Sequence, residues 1–401
     1  MKKLLLIFAA VGVLFTACNN EPEHIYDDHS ADLVGTWSCL TANYAEVLII
    51  NADGTAVSYG VEDGEYWENV RGTVVVKEGD ITMNFEDNDN FTGHFDIIPG
   101  QAFSLYEDSD ERYTYQYCAN DLADEIVGMW VCNDAKDNMR IQSFEENGNT
   151  VFSGWSEHLG EFSVLDNANY KVVGDLIFQG FPNGENSFSK HIAAKLIYTP
   201  NGTAHGDIMT FKHFLFDGAE SAESWLRIKQ NLDLNNKNYD YDNIYVSNVK
   251  GEDKDIEFFN TTINFAKLNA SSLDKFLNAT IFSIMFPDAN TIKYSFLEDQ
   301  HTTLEAPIVV EGNKMTIKMS TKKSAYKDVV VYAFQDADNT QMHIYMPTAS
   351  FEAFFANGQI QQLEENGLLD INNAEAIAEI RNKIETAIDS INISFIFKTA
   401  K

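Results

Sequence analysis

A repeat with a shift of 93 residues is the feature that most constrains the fold of this chain. Residues 33–39 read LVGTWSC and residues 126–132 read IVGMWVC, so that a glycine, a tryptophan and a cysteine are aligned. Downstream, Asp53-Gly54 corresponds to Asn147-Gly148, and VKEGDI at 76–81 corresponds to YKVVGDL at 170–176. One structural unit therefore occurs at least twice. A fainter third copy contains LNAT at 277–280 and VEGNKM at 310–315, without the glycine and tryptophan of the opening motif.

The first unit has the pattern of short β-strands joined by tight turns. Ile81, Met83 and Phe85 alternate onto one face, and no helical period is present. A meander of this size is expected to close into a barrel or a strongly curled sheet, because closure removes exposed strand edges. The eight predicted strands are Trp37 to Leu40, Glu46 to Ile50, Thr55 to Tyr59, Thr73 to Lys77, Ile81 to Phe85, Thr92 to Ile97, Ala102 to Tyr106 and Tyr113 to Tyr117.

The later units add helical patterns to the strands. The second unit is predicted to repeat the meander to about Phe214 and to continue as a helix around 219–232. In the third, alternating strands are predicted at 315–319 and 342–346, a short helix at 350–356 and a longer one at 374–389. Asn372 with Glu375 is typical of a capping box at the start of the longer helix. Ile377, Ile380, Ile384 and Ile388 form an apolar stripe on it. The stripe is interpreted as core packing, with a membrane or partner surface as the alternative.

The predicted fold class is therefore mainly β, with tandem small antiparallel meander barrels and extra helices in the C-terminal domain. The predicted organisation is a signal peptide at 1–17, an acidic tether at 18–31, a first β domain at 32–119, a second at 121–235 and a third at 240–401. The apolar content of 44% is enough to form cores in domains of this size.

The N-terminus has the features of a secretory signal. Lys2 and Lys3 precede an apolar run from Leu4 to Leu14, and small residues lead to Cys18. This stretch resembles a bacterial lipobox, although Phe15 departs from the aliphatic residue usual at that position. The resemblance implies that Cys18 is acylated and attaches the protein to a membrane; the alternative is an ordinary signal peptide with an accidental cysteine. The acidic tether resembles the export signal of Bacteroidetes surface lipoproteins, so we expect an outer-membrane, surface-exposed location.

The net charge of −33 restricts the range of partners. Such a chain repels nucleic acid and anionic lipid surfaces, so no nucleic-acid partner is expected. The acidic surface is interpreted as a soluble coat, with cations or basic partners as the alternative.

The repeated motif also suggests a family. A Gly-x-Trp on a first strand, an eight-stranded meander, and a later helix followed by one more strand resemble lipocalins, and more narrowly the lipocalin-like (calycin-like) lipoproteins of Bacteroidetes. The motif residues are Gly35 and Trp37, then Gly128 and Trp130. The resemblance implies that each tryptophan has a structural role at the barrel floor. The units are about half the length of ligand-carrying lipocalins. A roomy cavity is therefore not expected in the first unit, and the longer third unit is the better candidate for a pocket.

Three cysteines remain after Cys18, in an oxidising compartment. Cys39 lies on the first predicted strand of unit one and Cys118 at the end of its last strand. Those strands would be neighbours in a closed barrel, so a Cys39–Cys118 disulfide is predicted, with Cys132 as a buried thiol.

Motifs for catalysis are missing from the sequence. It contains no Gly-x-Ser-x-Gly elbow, no His-Glu-x-x-His and no phosphate-binding glycine loop. His205 and His213 are interpreted as surface residues. The acidic clusters at 86–90 and 336–339 do not complete a calcium-binding loop and are interpreted as solvated turns. We therefore predict no enzyme activity, no metal and no cofactor.

Two functional hypotheses follow. The first is a non-enzymatic envelope lipoprotein that binds a small apolar ligand or a protein partner. The alternative is a glycan-binding surface lipoprotein, suggested by Trp67, Trp155 and Trp225 near predicted turns. Core packing is the competing interpretation of these tryptophans. Exposure on one rim would favour sugar binding, and burial would favour a scaffold or a protein-binding role.

Overall fold

The computed structural model contains three closed, eight-stranded antiparallel barrels in chain order. It describes residues 29–77, 79–86, 90–107, 112–132, 139–156, 161–181, 190–200, 207–214, 220–258, 261–269, 271, 283–295, 303–321 and 323–400. The prediction of a mainly β chain of tandem meander barrels is confirmed, and the three barrels fit a lipocalin-like fold. The signal peptide with Cys18, most of the tether, LNAT at 277–280 and His205 lie outside the described residues.

In the first barrel the strands follow one another around the sheet, and Trp37 on the first strand pairs with Tyr117 on the last. Its strands are β1 (Gly35–Leu40), β2 (Tyr44–Ile50), β3 (Thr55–Glu62), β4 (Glu65–Lys77), β5 (Asp80–Phe85), β6 (Asn90–Ile98), β7 (Ala102–Tyr106) and β8 (Arg112–Tyr117).

The second barrel repeats this order and closes where Leu226 pairs with Val131. Its strands are β9 (Gly128–Cys132), β10 (Arg140–Phe144), β11 (Asn149–Ser156), β12 (Glu161–Val173), β13 (Leu176–Phe181), β14 (Lys190–Thr199), β15 (Ile208–Phe214) and β16 (Glu220–Ile228). A short helix, α1 (Ala123–Ile126), precedes it.

The third barrel closes between its first and last strands. The barrel strands are β17 (Lys237–Gly251), β20 (Ser283–Asp288), β21 (Thr291–Ser295), β22 (Thr303–Glu311), β23 (Lys314–Ile317), β24 (Val329–Gln335), β25 (Gln341–Met346) and β26 (Ile388–Thr399). A side hairpin is formed by β18 (Asp255–Phe258) and β19 (Thr261–Asn264). Helices α2 (Thr348–Glu365) and α3 (Ala374–Glu385) lie between β25 and β26. Single 3-10 turns occupy His29–Leu33, Phe265–Lys267 and Met319–Thr321.

The repeated glycine-containing segments occupy equivalent places in all three barrels. Gly79, Gly174 and Gly312 each lie in the turn between the fourth and fifth strands of their barrel, with positive φ angles of 90°, 59° and 62°. Such angles are readily adopted by glycine. The sequence match at 310–315 therefore corresponds to a true structural equivalence.

The helix predicted around 219–232 is wrong, because residues Glu220–Ile228 form β16. This strand pairs with β15 on one side and with β9 on the other, so it completes the second barrel. A residue run with good local helix formers takes the strand conformation because both of its edges are satisfied by neighbouring strands.

The helix cap in the third unit is also shifted from its predicted place. The N-cap of α3 is Asn373, whose side chain accepts a hydrogen bond from the backbone N–H of Ala376, and not Asn372. The stripe is shorter than predicted, since Ile377 and Ile384 are buried on the helix and Ile388 already belongs to β26. The short helix predicted at 350–356 is longer in the structure, where it forms part of α2 (Thr348–Glu365).

The aromatic side chains in the barrel cores differ between the first two barrels and the third. Trp37 and Trp130 are fully buried, and each indole donates a 2.7 Å hydrogen bond to the backbone carbonyl four residues earlier. The third barrel lacks the tryptophan, and Phe351 and Phe355 of α2 pack into its core beside Phe265. Aromatic rings from a helix therefore complete the third core.

The chain divides into two compact units, one built mainly on the first barrel and the other containing the second and third barrels. Inside the second unit, an apolar cluster joins the outer faces of its two barrels. Trp155 and Phe162 from barrel two contact Tyr332 and Tyr345 from barrel three, with ring centroids 5.0–5.7 Å apart.

Gln335 fixes the segment that links these two barrels. Its side-chain oxygen accepts from Asp233 N at 2.7 Å, and its nitrogen donates to Asp233 O at 2.7 Å and to Tyr239 Oη at 2.6 Å. Gln335 is completely buried. Beside it, Asp336 is also buried, accepts hydrogen bonds from Thr340 and Gln341 in its own hairpin, and has a pKa raised by that burial. In the acidic cluster at 336–339, Asp336 is therefore buried, contrary to its interpretation as a solvated turn, whereas Asp338 is exposed.

We expect Gln335→Ala to destabilise the second unit by about 2–4 kcal/mol, because the buried Tyr239 hydroxyl and the part-buried backbone groups of Asp233 would lose their partner, at about 1–3 kcal/mol for a buried group. Differential scanning calorimetry should also show the transition of this unit splitting in two. The control is Gln341→Ala in the same hairpin, where the hydrogen bonds to Asp336 come from the Gln341 backbone and are kept in the variant. Equal effects of the two substitutions would contradict the role of Gln335.

A second prediction concerns Glu352 on α2. Burial, reinforced by Glu385 and opposed by Lys327, raises the pKa of this carboxyl to about 7. The folded protein therefore holds a proton that the unfolded chain releases, so the contribution of Glu352 to stability falls as pH rises from about 4.5 through 7. Glu352→Gln should raise Tm relative to the parent at about pH 8.5 and leave it nearly unchanged at about pH 5. The exposed Glu379 of α3 offers the control Glu379→Gln; a gain there of the same size would attribute the effect to net charge.

Candidate functional site

The second barrel has a closed floor at the end where β9 begins. Gly128 has a φ of 130°, a conformation that favours glycine, and leads directly to Trp130. The Arg227 guanidinium lies 4.7 Å from the centre of the Trp130 ring and donates to the carbonyls of Glu125 and Val127. The helix, the tryptophan and the arginine together close this end.

The first barrel has the corresponding arrangement with a different partner. Gly35 has a φ of 145°, and a Cβ there would lie 2.7 Å from the ring of Tyr117. That ring packs on Trp37 with centroids 5.1 Å apart. The four motif residues therefore lie in equivalent places at the two floors.

The interior of the first barrel is filled. Glu46 is buried and accepts hydrogen bonds from Ser58 at 2.5 Å and from Tyr115, and Trp67 donates to the same serine at 2.8 Å. Phe103 stacks on Tyr115 with centroids 4.7 Å apart. This polar network crosses the barrel and leaves its carboxylate satisfied by hydroxyl donors.

The interior of the second barrel changes from apolar to polar along its length. Near the floor, the core contains Phe144, Leu196, Met209 and Phe211. Farther from it, Arg140 and Glu223 form an ion pair of 2.9 Å. The same guanidinium lies 5.5 Å from the Trp225 ring and donates to Cys132 Sγ at 3.8 Å. We call this polar region the polar end of the second barrel.

Buried amides extend the polar wall. Gln142 is buried and donates to Thr150 Oγ1 at 3.1 Å. Gln179 alternates along β13 with outward-facing Gly180 and shares its face with the core residue Ile177. Only 4% of Gln179 is exposed, and its Nε2 finds no hydrogen-bond partner among the described residues. A buried amide donor without a partner costs about 1–3 kcal/mol, so this position is expected to serve a purpose other than stability.

His213 faces the same interior and is partly buried, so its interpretation as a surface residue is wrong. Burial lowers the pKa of its imidazole, and the nearby Glu223 opposes that shift. The ring is therefore neutral near pH 7. The alternation of strand β15, with Phe211 inside, could have indicated this position from the sequence.

The lowered pKa predicts a sensitivity to acid. The folded state binds protons less readily than the unfolded chain, so the stabilising contribution of His213 is present above about pH 6.5 and is lost as pH falls. His213→Gln should reduce the loss of urea stability between about pH 7.5 and about pH 5. Burial also lowers the pKa of His343, to about 4, so this residue likewise reduces stability as pH falls. The variant should therefore still lose some urea stability at low pH, but less than the parent. An unchanged slope would contradict the assignment.

The predicted disulfide is not formed. Cys39, Cys118 and Cys132 are buried thiols, and none of them is in a disulfide. The first and last strands are neighbours as expected, but their register places Ser38 opposite Gln116 and directs the Cys118 N–H to the carbonyl of Thr36. Cys39 and Cys118 are therefore offset along the strands, beyond the reach of a disulfide.

The three tryptophans of the glycan hypothesis do not form a rim. Trp225 is buried in the core of the second barrel, Trp155 packs against barrel three, and Trp67 is bonded inside the first barrel. Among the residues that the structure describes, no group of three or more metal-ligating side chains comes together. Within the same residues, no helix has the length and apolar character needed to cross a membrane.

The comparisons with known proteins give similarities among solved structures only. No protein-family model matches the chain, and no curated protein matches it. Among solved structures, it is similar to a double mutant of the vaccine antigen transferrin binding protein B from Haemophilus parasuis Hp5. The identity is 9%, the TM-score is 0.24, and the match covers 91% of this chain and 76% of that chain. A similarity of this degree carries no argument about what the present chain binds.

Proposed function

We propose that this protein is a non-enzymatic lipoprotein of the cell envelope, attached through Cys18, that binds a small ligand at the polar end of its second barrel. The proposal rests on the buried Nε2 of Gln179, for which the described residues supply no hydrogen-bond partner. A ligand that presents a carbonyl or carboxylate oxygen would satisfy the Nε2 donor and remove the cost of burying it. The lipobox resemblance supports an outer-membrane, surface-exposed location of the Bacteroidetes type.

The size of the ligand is limited by the barrel itself. An eight-stranded barrel is only wide enough for its own side chains or one small ligand, and aromatic rings occupy the floor half. The ligand therefore lies above these rings, with its apolar part toward Phe211 and its polar group toward Gln179 and Arg140. The earlier expectation of a pocket in the third unit is not favoured, because helix α2 adds Phe351 and Phe355 to that core.

A protein partner is the second candidate. It is favoured by the packing of the three tryptophans, of which Trp225 is buried and Trp67 and Trp155 are partly buried, because none of them is left for a sugar-binding rim. The two candidates differ in what a purified protein should carry, since a small ligand held inside a barrel is retained during purification.

The test is native mass spectrometry of the mature chain, expressed from Asn19 in a bacterial periplasm. We expect a co-purifying mass that disappears on denaturation and is strongly reduced in Gln179→Leu. The substitution should also stabilise the ligand-free protein by about 1–3 kcal/mol, because it removes an unpaired buried donor.

These two readouts have opposite signs, which separates ligand binding from damage to the fold. The matched control is Gln142→Leu, where the amide already has Thr150 as its partner. If both the parent and the variants carry only the bare protein mass, the small-ligand proposal fails and the protein-partner candidate takes its place.

A further inference from the structure

A polar groove lies on the outer face of the second barrel, away from the interior site. It has a volume of 520 Å³ and runs across strands β11 to β14. We call it the asparagine groove, after Asn149, Asn167 and Asn169 in its lining. All three side chains are exposed.

The strand register shows how the groove is built. Asn149 is paired with Asn169, Asn169 with Gly180, and Gly180 with His191, so the four residues form one row across four strands. Asn167 lies in the neighbouring row, opposite Val151. Thr150 and Ala168, which alternate with these residues, are buried. The alternation places the asparagines outside the barrel.

Because Gly180 has no side chain, the row of four residues is concave at this position. A Cβ at this position would lie 2.5 Å from His191 Nε2, which is closer than real Cβ contacts allow. The imidazole therefore covers the backbone of β13, and the groove descends between it and the paired asparagines. Any larger residue at 180 would displace the imidazole and fill the groove.

The chemistry of this lining favours a neutral, polyhydroxylated ligand. Each asparagine amide offers a donor pair and an acceptor, and strands lie about 4.8 Å apart, which suits the successive hydroxyl groups of a sugar chain. The described lining contains no lysine or arginine, and its one carboxylate is Glu145, so an anionic ligand is disfavoured. Val151 provides an apolar surface for the C–H face of a sugar ring.

A peptide strand is a poorer occupant. The barrel is closed, so β11 to β14 already use their backbone groups on both sides and offer no edge for strand addition. Side-chain amides are what remains for recognition. We propose that the asparagine groove is a binding site for a neutral glycan, separate from the ligand site at Gln179.

The first barrel provides a matched control. Asn84 and Asn90 are also directly paired across neighbouring strands and are exposed, but they do not line the groove. The pair Asn84→Ala/Asn90→Ala therefore removes two paired surface amides of the same kind, one of which, Asn90, also accepts a hydrogen bond from the Phe85 N–H.

The experiment is isothermal titration calorimetry of the full mature chain. The probes are maltohexaose, mannohexaose, laminarihexaose and cellohexaose, with hexagalacturonate as the anionic comparison. At least one neutral hexasaccharide should bind with micromolar to millimolar affinity. Asn149→Ala/Asn169→Ala should weaken that binding at least about tenfold, which corresponds to a change of one decade in Kd. Asn84→Ala/Asn90→Ala should leave it unchanged.

Two further results distinguish this site from the interior one. Gln179→Leu should bind the same oligosaccharide as the parent does, and Gly180→Ala should weaken binding through displacement of His191. The proposal is overturned if no neutral hexasaccharide binds at millimolar concentration, if hexagalacturonate binds best, or if the control pair weakens binding as much as the groove pair. Circular dichroism of each variant verifies that the barrels are intact.

Discussion

Closure of each sheet onto its own first strand is the constraint on which the rest of the structure depends. Once the first and eighth strands are paired, every residue in between faces either the interior or the outside, and a shift of one residue would exchange the two. The places of Trp37 and Trp130, the polar wall at Gln179 and the outer row of asparagines all follow from that register. Closure also explains why residues 220–228 form a strand despite their helical pattern.

Much of this architecture could be predicted from the sequence, because it is encoded in local patterns. The strands of the first barrel follow the alternation of apolar residues, and the turns follow glycines such as Gly54 and Gly79, which have positive φ angles. The repeat of 93 residues then extends one assignment to two barrels. The third repeat could be detected through the segment around Gly312, although the glycine and tryptophan of the opening motif are missing from it. Rings from α2 lie in the core of this barrel.

The sites could not be predicted in the same way, because they depend on neighbours across strands. Asn149 and Asn169 are distant enough in sequence that only the register makes them a pair. Gln179 reads as an ordinary strand residue until the position of Ile177 shows which face is inside. The disulfide failed for the same reason, as correct strand adjacency did not specify the offset between Cys39 and Cys118. The sequence shows Trp155 near a predicted turn, but its contact with barrel three is visible only in the tertiary structure.

The hydrogen bonds of Gln335 have a consequence for molecular recognition. Because the segment between the second and third barrels is held at Asp233 and Tyr239, and aromatic rings join the two barrel walls, their surfaces are presented in one fixed arrangement. A binding molecule long enough to touch both would meet two preoriented surfaces, and the entropy of aligning them is already included in folding. Contacts on each barrel would then add as in a single interface, without the loss in effective concentration that a flexible linker imposes.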